Sequence, residues 1–310
     1  MTYHLAIGES KTEGPFVESE WLQWTRGGRG HPFRFVDFAR GSGSLVIGEL
    51  PTEKDELTTE KLVGPDVLAI TTFGKLAKHP RVNALQRLIA GWQLSHLSAD
   101  ATRGFPEAGP QERLSQTGDN LPNVIQYLAE NHRERLDQIL DMLAATAPPL
   151  ERIETKTLDD GRLLLQVKDA PFSQPILARY ASDGTLKLLA YLVMLYDPRP
   201  PPLIGIEEPE NQLHPKLLPE LAEECRGASA RTQLIVTTHS PFFVNGVRPN
   251  ELWALYRGGD GYTHAKRASD MPGIPEFAEE DLLGALWAEG HFEVGSPDLS
   301  KRGARNGLGK

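Results

Sequence analysis

The residues best suited to chemistry stand together after one apolar run. Leu203-Ile-Gly-Ile206 is followed at once by Glu207 and Glu208, then by Glu210, Asn211 and His214. Two acids at the end of an apolar strand are costly to bury without a counter-ion. A phosphate-borne Mg²⁺ supplies one: Glu207 can hold the metal through its water shell, and Glu208 can orient or deprotonate an attacking water. The simpler alternative is an exposed acidic turn that caps the next helix. A second group, Val236-Thr-Thr-His239, follows the next apolar run. A histidine there can hydrogen-bond a terminal phosphate or the attacking water, although a lone histidine at a strand end is more often structural. The third group is Ser182-Asp-Gly184, at the start of an apolar helix. Free N–H groups, a hydroxyl and a glycine make an anion site. Taken alone, plain N-capping by Ser182 or Asp183 is the simpler reading.

These groups need elements to hold them. Leu203–Ile206 and Gln233–Thr237 are short continuous apolar runs, the pattern of strands buried on both faces. The run Glu251–Tyr256 reads as a third. Helices are expected after Ser182-Asp-Gly184, from Pro215 to about Arg226, and between Pro275 and Gly290. Strand–helix alternation implies a parallel sheet with helices on its faces. The first half differs. Residues 3–50 read as a β-meander, with strands at Tyr3–Ile7 and Ser44–Ile47 and turns at Gly27–Gly30 and Gly41–Gly43. Residues 51–66 read as a loop. A helix is expected over 80–97, with Val82, Leu85, Leu88, Ile89 and Trp92 on one face. Residues 99–119 read as a long loop. A second helix is expected from an N-cap at Asp119 or Asn120 to about Ala145, where Pro148 and Pro149 end it. Arg162–Val167 reads as a strand after the turn Asp159–Gly161. Trp21 and Trp24 read as core or edge packing.

The chain has 310 residues, 42 acids against 33 bases and a net charge of −9. That excludes coating nucleic acid by bulk charge. The end of the chain, Lys301 to Lys310, is basic and could touch nucleic acid, but a solvated, disordered tail is the simpler reading. Cys225 is the single cysteine, so an internal disulfide and a thiolate zinc cage are excluded, and a reducing cytoplasm is the expected location. The longest apolar stretch, Leu188–Tyr196, is far too short for a membrane span.

Together and in this order, the three groups are far more specific than any one. The phrases Gly118-Asp-Asn-Leu-Pro-Asn-Val-Ile-Gln-Tyr-Leu128, Ala181-Ser-Asp-Gly-Thr-Leu-Lys187, Ile206-Glu-Glu-Pro-Glu-Asn211, Leu213-His-Pro215 and Thr237-Thr-His-Ser-Pro241 resemble the AAA-type, ABC-class ATPase heads of the RecF/SMC-like family. The resemblance runs over nearly the whole chain. It implies that Ser182, Asp183 and Gly184 form the signature loop that contacts nucleotide on the opposite subunit. It implies Glu207 as the metal-side acid, Glu208 as the catalytic glutamate and His239 as the switch histidine. Glu210 and Asn211 then lie in the loop, running to His214, that crosses the dimer interface. The implied cofactors are ATP and Mg²⁺. The implied partner is a second head in a homodimer, with DNA and an operon-encoded protein as further candidates and no membrane.

The sequence departs from that family at one point. No Gly-x-x-x-x-Gly-Lys-Ser/Thr occurs in it: Gly74-Lys75 has Ala69 where the first glycine belongs and Leu76 after the lysine. Two explanations stand: a truncated chain, or a half-head that borrows the loop from another chain. The expected fold is α/β, a P-loop-NTPase-like, mostly parallel sheet flanked by helices. An antiparallel β-meander and helical insertion fill its N-terminal half, and the first strand and P-loop are missing. The expected divisions are a meander and helical lobe over 1–150, a parallel-sheet lobe over 151–295 and a tail over 296–310. The expected function is ATP binding and hydrolysis in DNA repair, chromosome maintenance or phage defence. A non-catalytic dimerisation or regulatory module is the alternative. A metal-dependent nuclease using Glu208, Glu210, His214 and His239 is a weaker one, since no spacing there matches a known metal motif.

Overall fold

The structure is a computed structural model. It describes residues 1–12, 14–25, 32–48, 55–146, 150–169, 172–279, 281–292 and 294. The Gly27–Gly30 turn, the stop at Pro148 and Pro149 and the tail over 296–310 lie outside the described residues. The chain divides into two compact units, Met1–Trp92 and Gln93–Lys310.

The first unit is a five-stranded antiparallel meander with strands in chain order: β1 (Thr2–Ser10), β2 (Gly14–Trp24), β3 (Phe33–Ala39), β4 (Ser42–Val46) and β5 (Leu57–Lys61). Two helices follow, α1 (Ala69–Phe73) and α2 (Pro80–Ala90). Leu22, Phe35, Val36, Phe38 and Leu45 from the sheet pack with Ile70, Phe73, Val82 and Leu85 from the helices. Trp24 packs against this core, as expected. Trp21 lies flat against His4 and carries the Arg34 guanidinium on its ring. Glu20 is buried and accepts hydrogen bonds from the amides of Ala69 (2.5 Å) and Ile70 (2.9 Å) and from the Tyr3 hydroxyl (3.0 Å). It therefore supplies α1 with the acceptors that Leu68, at the N-cap position, lacks.

Two expectations fail in this unit. The loop expected over 51–66 contains β5, whose polar Leu-Thr-Thr-Glu-Lys sequence hides the strand because it pairs only through backbone at the sheet edge. The helix expected to reach residue 97 stops at Ala90, before Gly91. Leu88 and Trp92, expected on its buried face, are about half exposed.

The second unit opens with β6 (Gln93–Ser95) and α3 (Ala99–Thr102). The helices α4 (Leu121–Asn131) and α5 (Arg133–Thr146) follow, then the antiparallel strands β7 (Leu150–Thr157), β8 (Leu163–Asp169) and β9 (Ile176–Leu177). Next come α6 (Asp183–Leu195), β10 (Leu203–Glu207), α7 (Leu218–Ala228), β11 (Gln233–Thr237) and α8 (Pro241–Val244). The hairpin β12 (Trp253–Arg257) and β13 (Thr263–Arg267) precedes the short helices α9 (Ile274–Phe277) and α10 (Leu283–Ala288).

The core centres on α6. Every residue from Leu186 to Leu195 is buried, against α4, α5, α7 and the strands β7, β8 and β10. A helix apolar all round is a core helix. The sheet that matters for chemistry has three strands, in the order β11–β10–β6, all parallel.

Four further expectations are corrected. The single helix expected over 119–145 is two helices broken at His132, and both pack into the α6 core. Asn120 holds the N-cap position, but its amide is spent elsewhere, on Ser115 N and Arg113 O. The expected third buried strand is β12. It pairs antiparallel with β13, apart from the parallel sheet, and leaves Trp253 and Leu255 exposed. The last helix is two short ones.

Candidate functional site

Side chains alternate along a strand, so each parallel strand has an inner and an outer set. Ile204 and Ile206 of β10 are buried, and Leu234 and Val236 of β11 pack with them on the α6 core. On the outer face, Leu94, Gly205 and Ile235 stand in register across the three strands. Leu94 is 62% exposed and Ile235 52%. A Cβ at position 205 would lie 2.7 Å from Leu94 Cδ2, which explains a glycine between two large neighbours.

The three strands end together at Ser95, Glu207 and Thr237. Loops that follow parallel strands at their C-terminal ends are where ligands bind in open α/β sheets. Glu207 continues the outer face, and its Oε2 lies 3.3 Å from Nδ1 of His96, the residue after β6. Glu208 then leaves the strand with φ of 41°. That conformation is uncommon for a side chain with a Cβ. It is held by the Glu208 amide, which donates to Thr237 O (2.9 Å), and by the Glu208 carbonyl, which accepts from the Asn211 amide (3.2 Å). The Asn211 side chain donates to Glu208 Oε2 at 3.0 Å. His239 Nε2 is 3.8 Å from Glu208 Oε1.

Glu210 faces the next strand end. It accepts from Thr238 Oγ1 (2.8 Å) and from the His239 amide (2.7 Å). The carboxylate thereby fixes the backbone that carries His239. Glu208 thus contacts Asn211 and His239, and Glu210 contacts the His239 amide, while the Glu207 side chain pairs with His96.

Ser182, Asp183 and Gly184 lie at the start of α6. Ser182 is the N-cap, its Oγ accepting from the Thr185 amide at 3.1 Å. Asp183 pairs with Arg103 at 2.5 Å. The same guanidinium donates to the carbonyls of Arg179 (3.1 Å) and Ala181 (2.7 Å), so Arg103 holds the approach to α6 on three sides. Gly184 faces the Glu208 loop: a Cβ there would stand 3.2 Å from Gln212 O.

His96, Arg103 and Lys187 escaped the sequence reading. His96 follows a strand of three residues, too short to show a period. Arg103 acts on carbonyls, which leave no trace in sequence. Lys187 did carry a signal, as the one charge inside the apolar run Leu186–Leu195.

The donor set bears on magnesium. Glu207 and Glu208 offer hard oxygens at a solvent-facing strand end, which fits a water-shelled ion bound by one or two carboxylates and a substrate phosphate. Among the described residues no group of three or more His, Cys, Asp or Glu side chains is placed to hold a metal by itself. His214 Nδ1 accepts from the Lys216 amide (3.2 Å). The nuclease reading gains no geometric support.

Residues 29–245 match a protein-family model described as "AAA domain, putative AbiEii toxin, Type IV TA system". No curated protein sequence matches the chain. Among solved structures it is similar to an SmcHead bound to the C-winged helix domain of ScpA, at 14% identity and a TM-score of 0.44, over 83% of this chain and 76% of that one. It is similar to the SMC head domain from Thermotoga maritima, at 12% identity and a TM-score of 0.34, over 81% and 74%. A third likeness is to the Smc head domain with a coiled coil and joint from Pyrococcus yayanosii, at 16% identity and a TM-score of 0.36, over 50% of this chain. This chain spans only 33% of that one's length. At such distances these likenesses carry no argument about function. No helix among the described residues is long and apolar enough to cross a membrane.

Proposed function

The chain belongs to this AAA-domain family, and from that premise we propose that it is a nucleotide-binding head of the RecF/SMC-like class that hydrolyses ATP when two heads close over nucleotide. The carrying observation is the linked group at the ends of β10 and β11, where Asn211 orients Glu208 and Glu210 fixes the backbone of His239. Glu208 takes the proton from the water that attacks the γ-phosphate. His239 senses that phosphate, and Glu207 would hold Mg²⁺. When bound, the metal neutralises charge on the phosphates. Ser182, Asp183 and Gly184 present an N-terminal helix turn to nucleotide held by the opposite head.

The phosphate-cradling loop comes, on this reading, from polypeptide other than these 310 residues, which contain no Gly-x-x-x-x-Gly-Lys-Ser/Thr. Two features support it. Parallel sheets are normally covered on both faces, whereas Leu94 and Ile235 are exposed on the outer face. Among the described residues β11 also pairs on one side only. The same missing motif favours a second reading, a dimerisation or regulatory module that does not turn over ATP unaided. The family description names a toxin of a type IV TA system, so a TA partner is the operon-encoded candidate to test first.

The deciding experiment is Mg²⁺-ATP turnover and nucleotide binding by the chain and by Glu208→Gln. Turnover abolished in the variant with binding retained supports the catalytic role. Equal turnover in both overturns it. Binding without turnover in either favours the regulatory module.

A further inference from the structure

α6 buries one charge. Lys187 is 3% exposed in a helix otherwise packed with leucine, alanine, valine and methionine around Tyr191. Its Nζ donates to the Asn211 carbonyl at 2.7 Å and lies 5.9 Å from the Tyr191 ring centre. Burial holds its pKa below the usual lysine value, partly opposed by the Glu210 carboxylate. A buried charge persists only where it has partners, and the partner with which it hydrogen-bonds is a loop carbonyl rather than a carboxylate.

That loop needs holding. It contains two non-glycine residues at positive φ, Glu208 (41°) and Gln212 (68°). Such conformations persist when the surroundings over-determine them. Residues three apart on a helix share a face, and α6 meets the loop with two residues so spaced. Gly184 lets the Gln212 carbonyl approach, and Lys187 bonds the carbonyl of Asn211. Asn211 in turn donates its side-chain amide to Glu208.

We propose that Lys187 is a positioning residue: it ties the Glu208–Leu213 loop to the first turns of α6, so that occupancy of the Ser182–Gly184 turn is felt at the Glu208 carboxylate. The link to turnover rests on the function proposed above. The tie itself does not, and the test separates the two.

The test is amide hydrogen exchange on the full chain, comparing wild type with Lys187→Met and Lys187→Arg. The amides of Asn211, Leu213 and His239 donate to Glu208 O, Glu210 O and Glu210 Oε1. Loss of a charged donor should speed their exchange about tenfold or more, with amides of Leu189–Leu195 still protected and Lys187→Arg restoring most of the protection. Unchanged exchange in Lys187→Met overturns the tie. Should that variant fail to fold, Lys187→Leu, which likewise removes the donor, gives the same comparison. In the turnover assay Lys187→Met should lower kcat with KM for ATP unchanged. A rise in KM alone, or faster exchange with kcat intact, overturns the link to Glu208. If Glu208→Gln also leaves turnover intact, the catalytic reading falls and the exchange result still decides the tie.

Discussion

Glu210 offers the sharpest check on how the site is assembled. Its carboxylate accepts two hydrogen bonds from the loop after β11, from Thr238 Oγ1 at 2.8 Å and the His239 amide at 2.7 Å. Bonds to a charged acceptor are worth about 1.5–3 kcal/mol each when buried. Glu210 is only half-buried, so solvent screening reduces the pair to about 2–3 kcal/mol together. Glu210→Ala removes both bonds and should speed exchange of the His239 amide by about 30- to 150-fold. Glu210→Gln keeps one carbonyl oxygen for the amide and turns an N–H₂ toward the threonine, so it should fall between. Residue-resolved hydrogen exchange measures this without nucleotide or turnover, and the amides of α6 serve as internal controls. Exchange in Glu210→Ala within about threefold of wild type, or Glu210→Gln as fast as Glu210→Ala, would refute the reasoning. The carboxylate would then not be what fixes His239.

Arg103→Ala removes donors to Arg179 O and Ala181 O and the pair with Asp183. It should destabilise the Gln93–Lys310 unit by about 1–3 kcal/mol, read by denaturant unfolding, and a loss below about 0.5 kcal/mol would count against the clamp. Cys225 is buried, and burial pushes its thiol pKa up from 9.0 to about 12. Between those values the unfolded chain has lost the proton and the folded chain keeps it, so stability falls as pH rises. The slope should be at most about 1.4 kcal/mol per pH unit. Burial also raises the pKa values of Tyr3, Tyr191 and Tyr196, so unfolding curves across that window should decline in both proteins but more steeply in wild type than in Cys225→Ala, and equal slopes would sink the assignment.

Much of this was legible in the residues because burial writes itself into strand sequences. Leu203–Ile206 and Gln233–Thr237 read as strands of a parallel sheet, and they are β10 and β11; the expected burial on both faces fails for β11, which alternates exposed and half-buried residues. Their following residues, Glu208 and His239, therefore had to be neighbours, and they are. What failed to read depends on partners that periodicity cannot encode. β6 is recruited by pairing with β10, and β5 by pairing with β4. The Glu251–Tyr256 run looked buried on composition, yet β12 alternates exposed and half-buried residues in a two-stranded hairpin. Gly258 to Gly261 held the turn signal that would have corrected it. Arg103 and Lys187 bond to carbonyls three-dimensionally close and distant in sequence, and no spacing rule finds such pairs.

On the catalytic role proposed for Glu208, its backbone sets folding against chemistry. In the left-handed region a glycine costs nothing, and a residue with a Cβ pays about 1–3 kcal/mol. Drift under selection for stability alone would run from glutamate to glycine, or to asparagine, which tolerates that region best among the rest. A glutamate at φ 41° is thus a standing debit in the molecule's thermostability. Screens that rank variants of this protein by melting temperature should enrich replacements at position 208, and the most heat-resistant clones they return should be the ones least fit to act.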